Sequence, residues 1–287
     1  MGQENNKVEN YHKFLTEKLS PFIYEKFHKC IRPIFVSLDN GGKEQVGTAT
    51  LLKINGVRLL VTAAHVFDHF ENGKLLISLA DKIQLLHPTF YISEKINGER
   101  RLDRLDFAVQ AMDSSWYKHI DEQEFIEEKD IALQVTPIAD GPHMCIGYPN
   151  SKNKKRRNPK ANEIRKLNVL CYSGHSCLDP EVYVRVGCNS ESHILVQYSD
   201  KIRYDSKLNK TGPISARGLS GGPVVMVGIH QDADEMYNSQ ALGIVIECKK
   251  REQVLVCVRF SEIFKRISLL LHEMKSTKRE HSQWGFN

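Results

Sequence analysis

Two short stretches carry residues able to do chemistry together. "GLSGGPVV", Gly218 to Val225, sets one hydroxyl, Ser220, among small and flexible residues. Acyl transfer by a serine needs an activated hydroxyl, a base within hydrogen-bond reach, a group that orients the base, and donors aimed at the developing oxyanion. Gly218 and Ser220 can turn two backbone N–H groups toward one point, while Gly221 and Gly222 leave room for a substrate. Read alone, the stretch serves equally well as a glycine-rich turn. The second stretch, "LLVTAAHVFDHF", places His65 after an apolar run and two alanines, with little bulk between backbone and imidazole. A single strand-end histidine among twelve says little. "TAAHV" followed 155 residues later by "GLSGGP" is a far more specific signal.

The elements that must position these residues are mostly strands. "IRPIFVSL", "GTATLLKI", "RLLVTAAHV", "KLLISLA", "DFAVQAM", "IALQVTPI", "HMCIGYP", "LNVLCYS", "VYVRVG", "HILVQYS", "GPVVMVGI", "ALGIVIE" and "QVLVCVRF" are short alternating or β-branched runs separated by turn residues. About a dozen such strands with little helix between them predict antiparallel sandwiches or barrels rather than an α/β fold. Residues 7–30 have apolar positions at mixed three and four spacing, interrupted by Pro21, which predicts one or two short helices. "SEIFKRISLLLHEMK", Ser261 to Lys275, has one apolar helical face, and the polar tail 276–287 follows it.

With 287 residues, 41% hydrophobic and 26% charged, the composition is that of a globular chain, and no apolar run reaches the ~18 residues that a membrane helix requires. "MGQENNKVENYHKF" lacks the apolar core of a secretory signal, and Asn6 stands where the myristoylation pattern has Ser or Thr, so a cytoplasmic location is expected. Seven cysteines without a paired framework are expected to be reduced thiols. The net charge of +5 resides in "SKNKKRRNPKANEIRK", residues 151–166; without it the chain has 32 basic against 34 acidic residues. That run has no aromatic residues to stack bases, so it reads as a solvated loop and nucleic-acid binding is not expected.

The Thr-Ala-Ala-His strand end and the Gly-x-Ser-Gly-Gly-Pro loop resemble those of the chymotrypsin-like serine peptidases, and the uninterrupted "GTATLLKINGVRLLVTAAHV" is most similar to their bacterial intracellular branch. The resemblance implies two six-stranded antiparallel β-barrels, about 31–125 and 130–260, with a C-terminal helix over 261–275 and the site in the cleft between the barrels. The helical extension 1–30 lies outside that pattern. It further implies Ser220 as nucleophile, His65 as general base, and the Gly218 and Ser220 amides as the oxyanion hole. The family's orienting acid is an Asp followed by Ile or Leu, Ala, and Val or Leu. Asp106 in "RLDRLDFAVQAM" and Asp130 in "EEKDIALQV" both fit, with Asp103 a third option. "IGYP" resembles the opening strand of the second barrel, and Asp130 would leave only 16 residues before Ile146, too few to finish one barrel and cross over. Asp106 is therefore the preferred acid. Leu219 stands where secreted digestive members have the Asp that pairs with a cut N-terminus, so zymogen activation by that route is not expected.

Matching Gly243 and Ile244 to the family's Gly-Ile step puts Ile246, Glu247 and Cys248 on the segment along which a peptide substrate would lie. Ile246 replaces a common Ser that helps hold the acid. Ile214, six residues before the nucleophile, and Ser215 imply an uncharged pocket and an apolar or small residue before the scissile bond. Cys171, His175, Cys177 and Cys188 could be read as zinc ligands, but their spacing fits no common finger, and no metal or organic cofactor is expected. The expectation is a serine endopeptidase acting on protein or peptide, restrained by a regulatory partner, with a role in bacterial stress or anti-phage defence suggested by resemblance alone. The rival is a protease-fold module that binds peptide or nucleic acid without turnover.

Overall fold

The computed structural model describes residues 19–39, 41–79, 82–86, 90–118, 120–135, 141–153, 167–199, 203–204, 210–211, 215–229 and 237–268. In chain order the strands are β1 (Ile31–Ser37), β2 (Lys43–Ile54), β3 (Val57–Ala63), β4 (Lys74–Leu79), β5 (Lys82–Leu85), β6 (Tyr91–Ile92), β7 (Phe107–Ala111) and β8 (Ile126–Glu127) in a first sheet. They continue as β9 (Pro142–Gly147), β10 (Leu170–His175), β11 (His193–Gln197), β12 (Arg203–Tyr204), β13 (Lys210–Thr211), β14 (Pro223–Ile229), β15 (Tyr237–Lys249) and β16 (Val254–Arg259). The fold is all-β, with two principal sheets and short helices near both ends.

The first sheet runs β5-β4-β1-β2-β3-β7-β6, and β8 joins β2 in parallel. This differs from the expected six antiparallel strands. Two short strands make up the difference: β6 adds a two-residue edge to β7, and the chain leaving this sheet lays Ile126 and Glu127 alongside Leu52 and Lys53 before crossing over. The second sheet has six antiparallel strands, β10-β9-β14-β15-β16-β11, and a bridge between Ser176 and Val196 joins its two ends into a barrel.

"VYVRVG" is helical, against the strand expected from its β-branched residues. Helix Pro180–Val186 begins on Asp179, whose carboxylate accepts from Glu181 N, has proline in its first turn, and stops at Gly187 with φ +70°. Cap, proline and glycine stop outweigh the weak strand preference of three valines. Its buried positions Val182, Tyr183 and Val186 follow helical spacing. "IALQVTPI" is also not a strand over its described part: Ile131 makes one isolated parallel bridge to Ala241, and 132–135 are irregular.

At the N-terminal side, helix Ser20–Phe27 carries Pro21 in its first turn, where the missing N–H costs nothing, and the rest of the expected helical extension, residues 1–18, lies outside the described residues. Leu19, Ile23 and Phe27 are at most 1% exposed and belong to the main core cluster. Lys26 reaches Asp130 at 2.9 Å and Ser239 Oγ at 3.1 Å, tying the helix to the crossover and to β15. Phe27→Ala is therefore expected to destabilise the fold by about 3–5 kcal/mol, read as a lower denaturation midpoint in urea. Residues 260–268 form a helix that buries Phe260, Ile263 and Ile267. The rest of the C-terminal prediction, like most of the 151–166 segment, lies outside the described residues. Among the described residues no helix is long and apolar enough to cross a membrane.

Candidate active site

His65 sits in the short helix Ala64–Phe67 that follows β3, and Asp106 immediately precedes β7. Because β3 and β7 pair antiparallel with Ala63 opposite Phe107, the two residues are brought together at the end of the same ladder. Asp106 accepts from His65 N through Oδ1 at 2.8 Å, its Oδ2 lies 2.6 Å from His65 Nδ1, and its carbonyl accepts from Ala64 N at 2.9 Å. A carboxylate can only accept, so the Nδ1 proton faces Asp106 and the lone pair resides on Nε2, the arrangement of a general base.

Asp106 has φ +39°, unusual for a residue with a side chain, and the surrounding turn is pinned from several directions. Ser93 Oγ donates to Asp103 Oδ2 at 2.6 Å and accepts from Phe107 N at 2.9 Å; Arg100 Nη1 reaches Asp103 Oδ2 at 2.7 Å; Leu105 N reaches Asp103 Oδ1 at 3.0 Å. From the second barrel, His193 Nε2 lies 2.8 Å from Arg104 O. Asp103 thus braces the turn that presents Asp106. Asp130 faces Lys26 instead.

Burial is the largest influence on His65 and lowers its pKa, but the hydrogen bond and charge of Asp106, joined by the charges of Asp68 and Glu247, outweigh it and raise the pKa above the usual value. Burial pushes Asp106 up, opposed by its bonds to His65. If neutral His65 is the working base, activity is lost as pH falls through this raised pKa. The acid limb of kcat/KM is therefore expected above the ordinary histidine value of about 6.5. Glu247→Gln removes a raising charge and is expected to move that limb to lower pH; an unchanged limb would separate Glu247 from His65.

Ser220 lies in the turn that enters β14. Gly218 and Gly221 adopt φ +95° and +89°, and a Cβ on either would collide with backbone: Tyr148 O for Gly218, Thr48 O for Gly221. The glycines are required by both conformation and space. Within the turn, Leu219 N donates to Ala216 O, Gly221 N to Val245 O, and Gly222 N to Leu219 O. Among the described residues, the amides of Gly218 and Ser220 have no acceptor. Leu219 is fully buried in the second barrel's core, which explains an apolar residue at this position.

The turn packs directly on the strands that lead to His65. Thr48 N donates to Ser220 O at 2.8 Å, and Thr62 Oγ1 donates to Thr48 O at 2.7 Å. A Cβ on Gly47 would lie 2.6 Å from Val66 Cγ2 and 3.3 Å from Ser220 O, so one glycine separates the neighbour of His65 from the serine. Among the described residues, Ser220 Oγ and His65 Nε2 make no hydrogen bond, and attack requires that contact to form.

Of the anticipated substrate residues, Ile214 lies outside the described residues and Ser215 is exposed, its Oγ accepting from Arg217 N at 3.2 Å. Ile246 is the unpaired residue of a bulge between Val245 and Glu247 and is 4% exposed, so its side chain packs inward. Glu247 is exposed and paired with Lys249 at 2.6 Å, and Cys248 is half-buried. Among the described residues, no three His, Cys, Asp or Glu side chains are grouped to hold a metal. Cys171 lies 3.7 Å from Met144 Sδ, and burial pushes its thiol up to about 12.

Thr48, Thr50 and Asn150, which the motifs did not point to, also reach this turn. Thr48 and Thr50 alternate on β2 at full burial, and Asn150 N donates to Arg217 O at 2.8 Å. A threonine repeated on one face of the buried part of β2, among Ala49, Leu51 and Leu52, was the available signal.

No family model matches the chain, and no curated protein sequence matches it. Among solved structures it is similar to an HtrA-type protease, AlgW with a tripeptide, at 12% identity and a TM-score of 0.47; the match covers 86% of this chain and 63% of that one, so this chain spans less than two thirds of AlgW's length. It is also similar to an inactive serine-to-alanine mutant of Rv3671c from M. tuberculosis H37Rv, at 12% identity and a TM-score of 0.42, over 86% of this chain and 88% of that one.

Proposed function

We propose that this protein is a serine endopeptidase. The observation that carries the reading is the two-point contact of Asp106 with His65, beside a glycine turn in which, among the described residues, the amides of Gly218 and Ser220 have no acceptor. In this mechanism Ser220 Oγ attacks the scissile carbonyl while His65 Nε2 takes its proton, and the tetrahedral oxyanion lies between the two free amides. His65, now imidazolium beside Asp106, returns the proton to the leaving amine, and water repeats the cycle on the acyl-enzyme. The substrate strand would lie along the backbone of 246–248, with an apolar or small residue before the cleaved bond.

A fluorophosphonate probe tests the reading. Wild-type labelling that disappears in Ser220→Ala and His65→Ala is the expected result. Absence of labelling, with peptide binding retained, would replace the enzyme by a binding module.

A further inference from the structure

The turn that bears Ser220 belongs to the second sheet, yet much of what holds it comes from the first. Its four successive carbonyls are all engaged. Arg217 O accepts from Asn150 N at 2.8 Å, Gly218 O from Thr48 Oγ1 at 2.7 Å, Leu219 O from Gly222 N at 2.8 Å, and Ser220 O from Thr48 N at 2.8 Å. Two of the four bonds are made by one residue of β2. Thr48 is fully buried, and its hydroxyl is bonded on both sides: it donates its single proton to Gly218 O and accepts from Tyr148 N at 3.1 Å. Thr50 Oγ1 adds a bond to Gly221 O at 2.7 Å.

Two of these bonds aim the amides of Gly218 and Ser220, and the others hold the planes next to them. A peptide unit is planar and trans, so its N–H is directed opposite its C=O. Holding Arg217 O and Leu219 O therefore aims the N–H of Gly218 and of Ser220, and the two Thr48 bonds fix the planes that follow each of them. Glycines at 218 and 221 provide little intrinsic restraint, since glycine tolerates both signs of φ. The rigidity has to come from outside the turn.

We infer that Thr48 is a positioning residue for the oxyanion hole: its buried hydroxyl and amide clamp the Gly218–Ser220 turn against the first sheet and hold the peptide planes that follow each of the two donor amides. This rests on the proposed peptidase reading. Thr48 touches neither substrate nor the reacting atoms and acts through Gly218 and Ser220.

The test compares Thr48→Val, which keeps the shape and loses the hydroxyl, with Thr48→Ser, which keeps the hydroxyl and loses the methyl. In Thr48→Val, kcat is expected to fall about 10- to 100-fold with KM changed less than about threefold, since misplaced donors weaken binding of the transition state and not of the substrate. Inhibition by a peptidyl aldehyde, whose hemiacetal oxygen occupies the same site, is expected to weaken by a similar factor. Thr48→Ser is expected to stay within about threefold of wild type on both readouts. Equal activity of Thr48→Val and wild type would overturn the inference, as would a Thr48→Ser variant as slow as Thr48→Val, which would assign the effect to packing. Should Thr48→Val fail to fold, Thr48→Ala against Thr48→Ser makes the same comparison. Wild type that neither labels with fluorophosphonate nor cleaves peptide defeats the peptidase reading, a failure distinct from loss of the Thr48 effect in an active enzyme.

Discussion

Ser220→Ala and His65→Ala are each expected to lower kcat by about a million-fold, and the double variant no further than either alone. The reason is that in the proposed mechanism neither group does the chemistry by itself. A serine hydroxyl at neutral pH is a weak nucleophile, and His65 Nε2 has no other proton to take, so removing one leaves the other idle. What survives is the background supplied by the Gly218 and Ser220 amides, which alanine at 220 retains. The folded state is expected to be nearly unchanged in Ser220→Ala, within about 0.5 kcal/mol, because the turn is held through the carbonyl of residue 220 and not through the hydroxyl. Matched melting curves with additive losses in the double variant would break the link between the two residues.

Asp106→Asn is expected to cost about 10⁴-fold in kcat with little change in KM, while Asp130→Asn leaves turnover within about twofold. The geometry gives the direction. His65 N requires an acceptor at Oδ1, which the asparagine carbonyl can still provide, so the amide NH₂ is driven to the Oδ2 position facing Nδ1. Nδ1 must then accept, and the ring proton moves to Nε2, where it blocks uptake of the serine proton. Asp130→Asn removes the ion pair with Lys26 at the N-terminal helix, so its signature is a modest loss of stability. Steady-state kinetics with one peptide substrate and a urea titration separate the outcomes; a large kinetic loss in Asp130→Asn would contradict the placement of the acid.

Much of the architecture could be read from period-two patterns, because a strand covered on one or both faces leaves a direct trace in residue type. "HILVQYS", "QVLVCVRF" and "DFAVQAM" are strands as expected. "VYVRVG" misled because strand preference is local and weak, whereas the Asp179 cap, Pro180 and Gly187 act on the ends of the segment. Strand count was also not readable: β8 pairs with β2 over two residues, too short to leave a pattern.

Alone, the sequence determined the chemistry on offer: a serine among glycines, a histidine at a strand end, and two aspartates each preceding an apolar run. These follow from residue type and short spacing. Only the tertiary structure decided which of them meet. Asp106 faces His65 across 41 residues because β3 and β7 end side by side, and Asp130, whose local wording fits equally well, is claimed by Lys26 from 104 residues away. Thr48 reaches Gly218 across 170 residues. Such contacts are set by sheet register and by how the two sheets abut, and no residue pattern within a window of ten or twenty positions contains that information. In the sequence the turn is a flexible glycine stretch; in the structure a threonine of the first sheet holds two of its carbonyls.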